Sequence, residues 1–255
     1  MEKEKSIGVI AGAGPFAGLD LIKKILEQTI ATTDQEHFNI ISLFKARDLP
    51  DRTAFLLDQS LPNPAAAIAD QAIELYKMGA NVAAIPCNTA HAPEIFNPAM
   101  QIIQDSKIEL KFLNLIEETV QFIQINFPEL KRIGILSTTG TLKTRLYPNI
   151  LEKVDLQPIV PDMETQESLV HDAIFNQIYG IKAHGTGTPT SRNNLGIAIE
   201  RLVEAGAEAV ILGCTELPLA IPEAEFKGIR MIDPGFTLAR ALIREVNPKK
   251  LKALA

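Results

Sequence analysis

Apolar residues fall into short, continuous blocks along the chain. The blocks at 6–12, 39–45, 82–86, 110–116, 132–138, 156–160, 208–213 and 228–233 are rich in Ile and Val. That pattern predicts strands buried on both faces of a parallel sheet. Between them, apolar positions recur at helical spacing, predicting helices over 15–31, 63–78, 91–104, 117–126, 140–153, 163–181, 192–205 and 234–246. Regular alternation of strand and helix implies an α/β protein made of doubly wound, mostly parallel sheets. Two polar stretches interrupt the pattern, "ARDLPDRTAFLLDQSLPNP" (46–64) and "KAHGTGTPTSRN" (182–193). Loops of that length in compact domains are often functional.

The pattern is also written twice. "LYKMGANVAAIPCNT" (75–89) matches "LVEAGAEAVILGCTE" (202–216), pairing Leu75 with Leu202, Gly79 with Gly206, Ala80 with Ala207 and Cys87 with Cys214 at one offset of 127. "IGVIAGAG" (7–14) matches "IGILSTTG" (133–140) at an offset of 126. "LNLIEE" (113–118) and "IRMIDP" (229–234) form a weaker third pair, with the second copy shorter after its cysteine. Three matches in one order point to internal duplication. The expectation is two pseudo-symmetric lobes of four strands each, 1–117 with 234–255 and 118–233. In sheets of this kind ligands sit beyond the C-terminal strand ends, so an active site is expected in the cleft between the lobes.

Composition narrows the function. The 255 residues carry a net charge of −6, and no run of five or more like charges appears, which argues against a nucleic-acid partner. The first apolar run ends in glycines after a few residues, too short for a secretory h-region or a membrane span; a cytoplasmic protein without membrane association is expected. The chain has no Trp and only three Tyr, so ligand recognition leans on polar groups. Its two cysteines are not read as a disulfide, because nothing suggests secretion. The four histidines, His37, His91, His171 and His184, lack metal-ligand spacing with them, so no metal site is expected. "AGAGP" lacks the third glycine and the Lys-Ser pair of phosphate-binding loops.

Each cysteine closes an apolar strand and precedes polar residues, Asn88-Thr89 in one copy and Thr215-Glu216 in the other. Chain leaving a strand into a helix or turn presents backbone N–H groups that favour a thiolate or a substrate carboxylate. A thiol titrates near 8.5, and its setting can bring it close enough to neutrality to act as base or acid. Two thiols on opposite sides of one carbon suit stereochemical inversion, one removing a proton and the other returning one. For both to reach that carbon, the sulfurs need to lie about 6–7 Å apart.

At these residues the sequence resembles the cofactor-independent aspartate/glutamate racemases. "PCNTAH" and "LGCTELPL" are similar to that family's two cysteine motifs, and "GVIAGAGPFAGLDLIKKI" to its opening Gly-Gly-Met-Gly-Pro segment. "LPDRT", "STTGT", "LYPNIL" and "YGIKAHG" follow in the expected order. The resemblance implies racemisation without pyridoxal phosphate or any other cofactor, of an amino-acid substrate, by a homodimer. It implies Cys87 and Cys214 as the acid–base pair. Asn88, Thr89, Thr138, Thr215 and Glu216 would contact the amino acid, with Arg52 and Lys182 on its side-chain carboxylate. Ala11, Ala13 and Gly18 depart from the family's Gly, Met and Thr, which leaves side-chain range open and suggests a wider cleft.

Blander readings stand beside these. Lone cysteines are usually inert core residues, Arg52 could be a solvated loop charge beside Asp51, and Lys182 a helix-terminal surface lysine. Thr138 could be only a helix cap. His91 suits N-terminal packing better than a base, and His184 lies in a loop. Competing functions are a broad-specificity racemase, a maleate-type isomerase using a nucleophilic cysteine, an arylmalonate-type decarboxylase needing one cysteine, and a non-catalytic amino-acid-binding pair of lobes. The last needs no cysteines and gives no reason for their matched placement.

Overall fold

The computed structural model describes residues 5–254. The chain divides into two compact units. The first runs to Glu118 and resumes at Gly235; the second runs from Thr119 to Pro234.

The first unit is built on β1 (Ile7–Ile10), α1 (Pro15–Gln28), β2 (Ile40–Leu43), α2 (Arg52–Leu57), α3 (Ala65–Lys77), β3 (Val82–Ala84), α4 (Pro93–Asp105) and β4 (Lys111–Phe112). Its four strands are parallel in the order β2-β1-β3-β4. Helix α5 (Leu115–Asn126) leads into the second unit. There β5 (Arg132–Ser137), α6 (Thr139–Lys143), α7 (Leu146–Glu152), β6 (Gln157–Ile159), α8 (Met163–Thr165), α9 (Asp172–Phe175), α10 (Ile181–His184), α11 (Pro189–Glu204), β7 (Ala209–Gly213), α12 (Leu217–Ala220), β8 (Glu225–Phe226) and β9 (Ile229–Ile232) follow, and α13 (Pro234–Val246) returns the chain to the first. The second sheet has the order β6-β5-β7-β9-β8. With β8 set aside, that is the strand order of the first sheet. The expected four strands gain this fifth, which is antiparallel to β9 and reaches it through a turn with Lys227 and Gly228 at positive φ.

The duplication extends to atomic contacts. A β-carbon built on Gly8 would lie 2.9–3.2 Å from Ala80, Ala83 and Leu75. One built on Gly134 would lie 3.1–3.2 Å from Ala207, Val210 and Leu202, which are the same three positions of the repeat. Each glycine lets a helix end approach its sheet. Those helix ends also close alike: Gly79 (φ 107°) and Gly206 (φ 97°) take the left-handed conformation, and the next residue's N–H donates to Leu75 O or Leu202 O at 2.9 Å. A side chain is strained at such a φ.

Each unit has its own apolar core. In the first, Ile10, Leu43, Ile68, Leu75 and Ile85 pack with Ile95 and Ile103. In the second, Leu136, Ile174, Leu195 and Ile199 pack with Val210 and Leu212.

The predicted elements are shortened or broken in three places. The apolar block at 110–116 yields only a two-residue strand, because Asn114 Oδ1 accepts from Ile116 N at 3.0 Å and starts α5 early. The helix expected at 140–153 breaks where Arg145 adopts φ 52°. The helix expected at 163–181 ends at Phe175, and Gln166–His171 within it is a π-helical turn between α8 and α9. The two stretches expected as loops also hold structure, with α2 in one and most of α10 and the start of α11 in the other.

Candidate active site

Cys87 stands three residues beyond β3, at the head of a 3-10 turn spanning Asn88–His91. Its side chain is half-buried, while Asn88, Thr89 and His91 are buried. His91 clasps the turn. Its Nε2 accepts from Leu115 N at 3.2 Å, so Nδ1 carries the proton and donates to Cys87 O at 2.9 Å. Full burial pushes the imidazole pKa down to about 4 against the two carbonyls that favour protonation. A neutral histidine bonded through both nitrogens shapes the backbone beneath the thiol and does not serve as the base.

Arg52 opens α2, which is capped by Asp51 accepting from Ala54 N at 2.7 Å. The helix packs against the Asn88–His91 turn. The guanidinium donates to Ala13 O, and to Pro50 O at 3.1 Å, which binds the glycine-rich turn after β1 to the 46–53 segment. A β-carbon on Gly12 would come within 2.8 Å of the Lys45 and Ala46 backbone, so this approach requires glycine. The departures at Ala11 and Gly18 meet one another. A β-carbon on Gly18 would lie 2.6 Å from both Ala11 O and Ala11 Cβ. Ala11 is fully buried, so these two positions pack against one another inside the unit.

In the second unit Cys214 directly follows β7 and is buried, as are Thr215 and Glu216. Its thiol donates to Glu216 Oε2 at 3.0 Å, and Glu216 Oε1 pairs with Lys182 Nζ at 2.5 Å. Burial pushes the Cys214 thiol pKa well up and the Glu216 carboxylate adds to the rise; Lys182 opposes both. Lys182 is thus a helix-terminal cation engaged by a buried carboxylate. It sits near the start of four-residue α10, half-buried. Thr138 is the N-cap of α6, accepting from Thr141 N at 3.3 Å.

Several residues at this site were not singled out from the sequence. Gln166 is fully buried and donates to Ser137 O at 2.9 Å and to Thr139 Oγ1 at 3.4 Å. His171 Nδ1 lies 3.1 Å from the same Thr139 hydroxyl. These two residues are five apart, which an α-helix would turn to different faces; the π turn stacks them. Tyr147, fully buried, bonds Thr119, and its ring packs where a β-carbon on Gly213 would come within 3.0 Å. The doubled threonine of "STTGT" and the "LYPNIL" segment that holds Tyr147 were the signals near these residues. The π turn leaves no periodic trace in the sequence.

Among the described residues, no group of three or more His, Cys, Asp or Glu could hold a metal ion, and no helix is long and apolar enough to cross a membrane.

The sequence matches the Asp/Glu/Hydantoin racemase family over residues 10–242. The chain belongs to this family. It is accordingly an isomerase of the racemase type. The broad specificity amino-acid racemase RacX of Bacillus subtilis is 25% identical over 245 residues, covering 93% of this chain and 96% of that protein. The aspartate racemase of Picrophilus torridus superposes with a TM-score of 0.79 at 26% identity, over 97% of this chain and 96% of that one. A glutamate racemase from Francisella tularensis, solved with D-glutamate, shares the fold with a TM-score of 0.65 at 18% identity, over 99% and 85% of the two chains. In this racemase-family chain, Cys87 and Cys214 both lie in segments that follow parallel strands, β3 and β7.

Proposed function

We propose that the protein racemises an acidic amino acid, aspartate or glutamate, by a two-base mechanism. Cys87 and Cys214 act on opposite faces of one α-carbon. In one direction the Cys87 thiolate takes the α-proton and the Cys214 thiol returns one to the other face; in the reverse direction the roles exchange. One observation carries this reading: the two units repeat one strand order, and each places a cysteine within three residues of the C-terminal end of the same internal strand. Inert thiols would have no reason to recur at equivalent ligand-binding ends. In this scheme the two thiols are the acid and the base, one taking the proton and the other returning one.

Backbone N–H groups and the side chains of Asn88, Thr89, Thr138 and Thr215 hold the α-carboxylate, which takes up charge as the α-carbon loses its proton. Glu216 lies beside Cys214 and sets its proton. Lys182, half-buried, and Arg52 supply the positive charge that a side-chain carboxylate needs. The similarity to the Picrophilus aspartate racemase supports the acidic substrate. A broader side-chain range is the second reading, favoured by the ion pair that already engages Lys182 and by the likeness to RacX. The same proposal takes the enzyme to be a cytoplasmic homodimer; light scattering tests the dimer and cell fractionation the compartment.

The deciding experiment is exchange of the α-proton with deuterated water, read by NMR for aspartate, glutamate and neutral amino acids. Exchange with an acidic substrate is expected without added pyridoxal phosphate. C87A and C214A should each lose it by about 10²–10⁴-fold or more. A single-cysteine variant that racemises normally would refute the two-base scheme.

A further inference from the structure

A column of side chains in the second unit leads from the "STTGT" turn to Cys214. The His171 and Phe175 rings stack at 4.6 Å with 26° between planes. Lys182 Nζ sits over the Phe175 ring, 5.7 Å from its centre. The same ammonium meets Glu216, which in turn accepts the Cys214 thiol. Helix α9 carries the ring and packs against α10, which carries the lysine.

We propose that Phe175 is the residue that positions Lys182, and through it sets this site's preference for a side chain bearing a carboxylate. The inference rests on the reading that Lys182 meets the substrate's side-chain carboxylate. The ammonium is a compact charge on a long flexible stem, and α10 offers four residues to support it. Glu216 alone would hold the cation only until a second carboxylate competes for it. An aromatic face attracts a cation without demanding one direction. The ring therefore keeps Nζ within the site while it turns from Glu216 toward an incoming carboxylate. His171 stacks on the same ring, and Thr139 contacts His171. The π turn at Gln166–His171 orients that support.

The test compares the native protein with F175L, which keeps the apolar bulk and removes the ring, and F175Y, which restores it. Steady-state racemisation of the acidic substrate gives KM and kcat, and calorimetry gives its Kd. F175L is expected to raise KM and Kd together by about 3- to 30-fold, with kcat within twofold, and F175Y to restore both. Unchanged KM and Kd in F175L would overturn the inference. So would a fall in kcat alone, or an F175Y as impaired as F175L. A native protein that binds aspartate without exchanging its α-proton would sink the proposed reaction, while F175L would still decide the inference through Kd. A native protein that binds neither aspartate nor glutamate overturns it.

Discussion

His91 makes the stability of the first unit depend on acid in a calculable way. The ring is neutral and buried, with Nε2 accepting from Leu115 N and Nδ1–H donating to Cys87 O. Burial lowers its pKa from 6.5 to about 4. A depressed histidine pKa means the unfolded chain binds the proton more readily than the folded one. The contribution is therefore complete above 6.5 and is lost as pH falls toward about 4. The whole window is worth about 3 kcal/mol, and about 2 kcal/mol of it disappears between pH 7.5 and 5.0. Urea unfolding at those two pH values, on the native protein and on H91Q, isolates the effect from the carboxylates that titrate in both. The native protein should lose about 2 kcal/mol more than H91Q over the interval. A direct check follows the His91 ring protons by NMR, which should report a neutral imidazole down to about pH 5. Equal losses in both proteins, or a His91 that titrates near 6.5, would refute the clasp. Racemisation should fall over the same acid range, because protonating Nε2 severs the bond that holds the Cys87 turn to α5.

Two further outcomes test the packing and the thiol. G18T should cost about 1–3 kcal/mol by overpacking, and adding A11G should recover part of that loss, since it removes one of the two 2.6 Å contacts; strict additivity in thermal unfolding of the double variant would contradict the contact. E216Q should move Cys214 alkylation by iodoacetamide to lower pH, because the carboxylate that raises the thiol pKa is gone; mass spectrometry of the two cysteine peptides reads each site separately, and an unmoved or raised profile would contradict the assignment.

The sequence announced the strands because each is a short apolar block and a parallel sheet buries both faces. It announced the duplication because Gly8, Gly79, Gly134 and Gly206 are fixed by backbone approach and by positive φ, which only glycine satisfies cheaply. Both cysteine positions were legible because they follow strands that the repeat aligns. What was not legible depends on partners distant in the chain. His91 looked like helix-terminal packing until Leu115 supplied its second bond. Lys182 looked like a surface cation until Glu216 closed over it. Ala11 and Gly18 looked like two separate departures, yet the two positions are in direct contact. The block at 110–116 has strand composition, and only the Asn114 cap shows that its second half belongs to a helix.

The first unit is discontinuous in the chain, and this orders its birth. Synthesis delivers its four strands early and then the entire second unit; α13 comes last. Helix α13 buries Leu238, Leu242 and Ile243, and Thr29 bridges to Leu251 near the other end of the chain. A nascent polypeptide still tethered before Gly235 thus holds a finished younger half and an older half with an oily flank uncovered. That is the stage at which a chaperone would find something to grip, and a premature stop codon in this stretch would leave the grip permanent.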